Sequence, residues 1–177
     1  MQAFAHEVTC LPPQLWPFLL DHDGGWILIH PGSSRYLVGP VEVAGFDRKN
    51  VAFVSVEELA CGSEMPLQIV GHLVDHYLGC GGDPDGAWLS AGGGLEPAWR
   101  EAGERLQRLF ALGHAVDEAA AASVQAYVAR SLAWYCHRPH DLNVADPNIW
   151  KWFRATLWAE GFWRTPVSQG RARARRT

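Results

Sequence analysis

The spacing of apolar residues changes once along this chain, near Pro66, and that change restricts the fold more than any other feature. Before it, short β-branched and aromatic runs alternate with Gly, Pro and Asn/Asp turns, the pattern of strands. After it, apolar residues recur at helical spacing. Strand segments followed by helical ones predict an α+β fold, not the alternation of a parallel α/β sheet. The expected architecture is a small mixed β-sheet followed by a helical half.

Within the first half, Leu15-Trp16-Pro17-Phe18-Leu19-Leu20 predicts a short helix or turn ahead of the sheet. Residues 26–30 and 35–38 flank Pro31-Gly32-Ser33-Ser34 and read as a hairpin. Residues 41–44 are a further strand candidate, followed by a polar turn at Asp47-Arg48-Lys49-Asn50. Val51, Phe53 and Ser55 alternate with Ala52, Val54 and Val56, so both faces of this strongest strand are largely apolar and a central position follows.

Helices are predicted over residues 66–78, stopped by Gly79, and over 96–112, 116–136 and 147–160. Ile149, Trp152, Phe153 and Trp158 of the last one are placed to seal the core. A glycine-rich connection over residues 80–94 carries Trp88 as its anchor. One domain is expected over residues 1–165, with a flexible basic tail at 166–177 holding Arg171, Arg173, Arg175 and Arg176.

A 48% apolar and 19% charged composition argues against general disorder. The first residues show no basic segment followed by an apolar run, and no stretch reaches the ~20 apolar residues of a membrane helix. A soluble, cytoplasmic protein is the expectation. Cys10, Cys61, Cys80 and Cys136 are scattered without CxxC spacing, so reduced thiols are expected rather than a zinc knuckle or disulfide framework.

The segment Gln68-Ile69-Val70-Gly71-His72-Leu73-Val74-Asp75-His76-Tyr77-Leu78-Gly79 resembles the H-E-x-x-H-x-x-D helix, followed by Leu-Gly, of the zinc-peptidase domain of the anthrax lethal factor and Pro-Pro endopeptidase family. Matched that way, His72 takes the second histidine and Asp75 the buried aspartate. Gln68 stands at the first ligand and Ile69 at the catalytic glutamate. An isoleucine side chain can neither accept a proton nor orient water.

Gln125-Ala126-Tyr127-Val128-Ala129-Arg130 and the residues after it are similar to the family's E-(F/Y)-F-A-E-x-F-x-x-Y run. Ala126 occupies the third-ligand position and Arg130 the second glutamate, while Ala119 falls where the family's oxyanion tyrosine is counted. Asp146-Pro147-Asn148-Ile149-Trp150 resembles its closing segment, after a polar linker that includes Arg138-Pro139-His140-Asp141-Leu142. The resemblance spans roughly residues 51–160 and implies a zincin-like fold whose peptidase site is erased. What it implies for function is a catalytically inactive, metallopeptidase-like binding or regulatory module, holding an extended peptide against an edge strand.

Two further readings compete. In another register His72 and His76 form an i,i+4 pair able to hold zinc, which would make the protein a metal-dependent hydrolase with a rebuilt site. Its third ligand would come from among Glu101, Glu104, His114 and Glu118. A nucleic-acid-associated protein using the arginine tail is the other, disfavoured because a basic terminus is more often a solvated end and Trp99, Trp152 and Trp158 lie at core-facing helical spacing. His6-Glu7-Val8-Thr9-Cys10 and Gly92-Gly93-Gly94 match an HExxC and a phosphate-loop pattern only in isolation.

Overall fold

The computed structural model describes residues 4, 7–21 and 25–164; the arginine-rich end lies outside them. Leu15–Asp21 (α1) precedes the sheet as expected. Every residue of Val51–Ser55 (β5) is buried. Its edges are taken by Trp26–His30 (β1), parallel to it, and Arg35–Leu37 (β2), antiparallel. The expected hairpin between β1 and β2 does not form, because β5 inserts between them. A strand buried on both faces needs neighbours for both rows of backbone donors and acceptors, which the inserted position provides.

The hairpin lies instead between Val41–Val43 (β3) and Phe46–Arg48 (β4). Ala44 and Gly45 turn it, at φ of 52° and 81°, the paired left-handed geometry that matches strand twist. Asp47 and Arg48, expected in a polar turn, are therefore strand residues, and the chain bends at Lys49 and Asn50. Val56–Ala60 (α2) is a short helix that strand patterning concealed. It starts where Ser55 Oγ accepts from the Glu58 amide at 3.2 Å.

Met65–Cys80 (α3) lies against the sheet, with Ile69, Leu73 and Tyr77 packed around Ala52 of β5. Gly79, expected to end this helix, lies inside it: a Cβ there would fall 2.2 Å from the Leu89 nitrogen. That position serves close packing, and the left-handed residue that ends the helix is Gly81, at φ 69°. The returning loop makes one 3₁₀ turn at Leu89–Ala91 and leads into Pro97–Ala111 (α4), which buries Trp99, Leu106 and Leu109.

Val124–His137 (α5) begins eight residues later than the 116–136 expectation. Ala120–Ala122 makes only a 3₁₀ turn, with Asp117 Oδ1 accepting from the Ala120 amide at 2.9 Å. Ser123 then caps α5 by accepting from the Ala126 amide at 3.1 Å. A cap worth about 1 kcal/mol outweighs the few tenths by which alanine favours continued helix.

The expected polar linker contains a helix, Pro139–Ala145 (α6), with Leu142 buried. Asp146 starts Pro147–Ala155 (α7), its Oδ1 accepting from the amides of Asn148 and Ile149 at 3.0 and 3.1 Å. The helix ends before residue 160: Thr156 Oγ1 donates to the Trp152 carbonyl at 2.6 Å, and a separate turn forms Glu160–Trp163 (α8). Ile149, Trp152 and Phe153 are fully buried beside Leu106, Tyr127 and Leu132, as their helical spacing predicts. The result is a mixed α+β fold, a small sheet followed by helices. Among the described residues no helix is long and apolar enough to cross a membrane.

Candidate functional site

Helices α3 and α5 lie face to face, and Gly71 marks their closest approach. A Cβ at Gly71 would fall 2.9 Å from Ala129 Cα, so only a glycine lets the two backbones meet there. Gln68, Ile69, His72, Asp75 and His76 stand on one of these helices, and Ala126 and Arg130 on the other.

Arg130 spans the interface. Its Nη1 donates to Gln68 Oε1 at 3.1 Å, and its Nε pairs with the Asp117 carboxylate. A permanently charged guanidinium thereby joins α3, α5 and the segment ahead of α5. Both partners of the ion pair are part-exposed, so its stability contribution is small, about 0–1 kcal/mol. Its consequence is electrostatic: a fixed positive charge is held against the Gln68 side chain.

Two other positions have plain structural roles. Ile69 is buried in the apolar cluster of Ala52, Leu73 and Tyr77, where a carboxylate would be desolvated without a partner. Ala119 is exposed and lies before the Ser123 cap, not on α5. Counting back along a continuous helix therefore fails at this residue, and Ala126, half-buried in the first turn of α5, has no helical neighbour two turns upstream.

The C-terminal half of α3 is closed over by the glycine-rich loop. Asp75, buried, accepts from the Ser90 amide at 2.7 Å and from the Ser90 hydroxyl at 2.5 Å. Burial outweighs these bonds and pushes its carboxyl up to about 7. His76 is fully buried; its Nε2 lies 2.9 Å from the Asp83 carbonyl and its Nδ1 2.6 Å from the Tyr36 hydroxyl. A carbonyl only accepts, so Nε2 carries the proton and Nδ1 receives the tyrosine's. Burial holds His76 below the ordinary histidine range and Tyr36 above the ordinary phenol range, which keeps both neutral in this arrangement. Trp88 stacks on His76, with ring centroids 5.0 Å apart and planes at 22°.

His72 differs. Its ring meets the edge of Trp88 with centroids 6.0 Å apart, yet its buried Nδ1 has no hydrogen-bond partner among the described residues. Burial pulls its pKa down to about 4, so the imidazole is neutral near pH 7.

These residues do not fit a zinc ion held by His72 and His76. Both ring nitrogens of His76 are engaged, leaving no lone pair for a metal. The four candidates for a third ligand, Glu101, Glu104, His114 and Glu118, are exposed, and among the described residues no three His, Cys, Asp or Glu side chains gather as a metal-binding group. Tyr36, Ser90 and Asp117 are the participants that sequence reasoning missed. Each meets its partner across a loop or sheet, and none carries a spacing signal; only Trp88 was visible, as the lone large residue of its loop.

Of the further motifs, His6 lies outside the described residues, while Gly93 lies in close packing, where a Cβ would fall 1.9 Å from the Ala87 carbonyl oxygen. No protein-family model, curated protein or solved structure matches the chain; its chemistry is read from its own residues.

Proposed function

We propose that this protein is a zincin-like, non-catalytic binding module that holds an extended peptide along the outer edge of β2. The observation that carries this reading is the Gln68–Arg130–Asp117 bridge, because it fills the crossing of α3 and α5 with a cation and its partners. A peptidase of this kind needs a divalent ion and an activated water there. The bridge offers neither a ligand set nor a base.

The peptide-binding half of the reading rests on the sheet. Among the described residues, β2 pairs only with β5, so its other edge can add a strand through backbone hydrogen bonds. Tyr36 on that strand and half-buried Trp88 beside it form an edge-to-face pair with centroids 5.8 Å apart, giving apolar contact surface next to the free edge.

Selection of a randomised peptide library against the full chain, followed by hydrogen exchange with the enriched synthetic peptide, tests this reading. Slowed exchange concentrated at residues 35–37 is expected. Failure to enrich any sequence, or protection confined to other elements, refutes peptide binding at this edge.

A further inference from the structure

A second polar cluster lies away from the α3–α5 crossing, where the N-terminal segment meets the end of α5. A surface cavity of about 250 Å³ is lined there by Glu7, Thr9, Cys10, Leu67, Cys136 and His137. Glu7 Oε2 lies 2.8 Å from His137 Nε2. Cys10, three residues after Glu7, and Cys136, next to His137, line the same cavity, and the Cys10 thiol donates to the Glu7 carbonyl at 2.9 Å. Two cysteines far apart in sequence thus share one accessible cavity, both part-buried.

We propose that Cys10 and Cys136 form a site of reversible thiol oxidation, which takes a low-molecular-weight disulfide as co-reactant and closes to an intramolecular disulfide. Cys10 is the attacking residue. The neighbouring Cys136 thiol holds the Cys10 pKa below the ordinary thiol value, while Cys10 and burial together hold the Cys136 pKa above it. The Cys10 thiolate attacks one sulfur of the small disulfide RSSR, forming a mixed disulfide and expelling RS⁻, which takes up the proton Cys10 released. Cys136 then loses its proton and attacks the Cys10 sulfur, and the second RS⁻ leaves as RSH. Two protein thiols are oxidised and one disulfide is reduced to two thiols, so no further electron acceptor is required.

The product would tie the N-terminal segment covalently to α5, alongside the Glu7–His137 pair. The other cysteines are placed differently: Cys61 is exposed, and Cys80 donates to the carbonyls of His76 and Asp83, both at 3.3 Å. This site shares no residue with the proposed peptide-binding edge, and either proposal can fail alone.

The test is incubation of the native full chain with oxidised glutathione, acid quenching, alkylation and peptide mapping by mass spectrometry. Expected are a Cys10–Cys136 cross-linked peptide, loss of both residues from the alkylated pool, and their recovery on reduction, with Cys61 carrying at most a glutathione adduct. In Cys136→Ser the reaction should stop with glutathione on Cys10. Two results overturn the proposal: Cys10 and Cys136 staying fully alkylatable while Cys61 is modified, or a cross-link in any other pairing. The wild-type mapping decides the matter even if the serine variant folds poorly.

Discussion

The two halves of α3 treat their polar side chains in opposite ways. Toward its C-terminus, Asp75 and His76 are fully enclosed and bonded, to Ser90, Asp83 and Tyr36. Toward its N-terminus, Gln68 bonds to the part-exposed Arg130, and His72 has a buried nitrogen with no partner among the described residues. Polar residues of one helix thus divide into a structural set and an incompletely satisfied set. Buried polar groups with every partner present stabilise a unique packing, whereas one lacking a partner lowers stability.

The packing of the enclosed half is tested most severely at Gly79. Its added methyl in Gly79→Ala would meet the backbone of Trp88 and Leu89, neither of which can rotate away, so a loss of about 3 kcal/mol is expected in denaturant unfolding. A loss below 1 kcal/mol would show that the loop is not held against α3 as described.

The contrast itself is sharpened by a matched pair of substitutions. His76→Leu strands the Tyr36 hydroxyl, removes one of two donors to the Asp83 carbonyl and should cost about 2 kcal/mol. His72→Leu removes a group whose buried nitrogen is already unpaired and should lie within about 1 kcal/mol of the parent. Equal losses in the two variants would erase the distinction between the halves.

A pH-dependent effect separates Asp75. Its folded-state pKa, about 7, is raised above the ordinary 3.8, so the folded protein binds a proton that the unfolded chain has already released across that interval. This favours folding fully below about pH 4 and is lost as pH rises toward 7, at no more than about 1.4 kcal/mol per unit. Urea unfolding of the parent relative to Asp75→Asn should show that decline; a flat difference would mean that the carboxyl is not desolvated.

What could be read from the residues follows the range of the interactions involved. Val51–Ser55 was recognisable as central because its own side chains are apolar on both faces, and the Asp146-Pro147 start is a local capping signal. Pairing was not recognisable: the turn chemistry of Pro31-Gly32 suits a hairpin, and only the burial of a strand some twenty residues later draws β1 and β2 apart. Gly79 and Gly81 illustrate the same limit. Both suit a helix end, and the Leu89 backbone decides between them. At the site, Gln68 and Arg130 were legible as departures from a resembled motif, but their mutual bond was not. Asp117 was hidden because the Ala119–Ala122 run masked the Ser123 cap that sets the segment apart from α5. His76 likewise reads as half of an i,i+4 metal pair until Tyr36, from the sheet, occupies its second nitrogen.

Zinc content of the purified full chain, measured beside the His72→Ala, His76→Ala double variant, addresses the non-catalytic reading most directly. With Arg130 bridging the helices and His76 engaged at both nitrogens, substoichiometric zinc is expected in both proteins, with no difference between them. Stoichiometric zinc in the parent that the double variant loses would contradict it and restore a metal-dependent hydrolase.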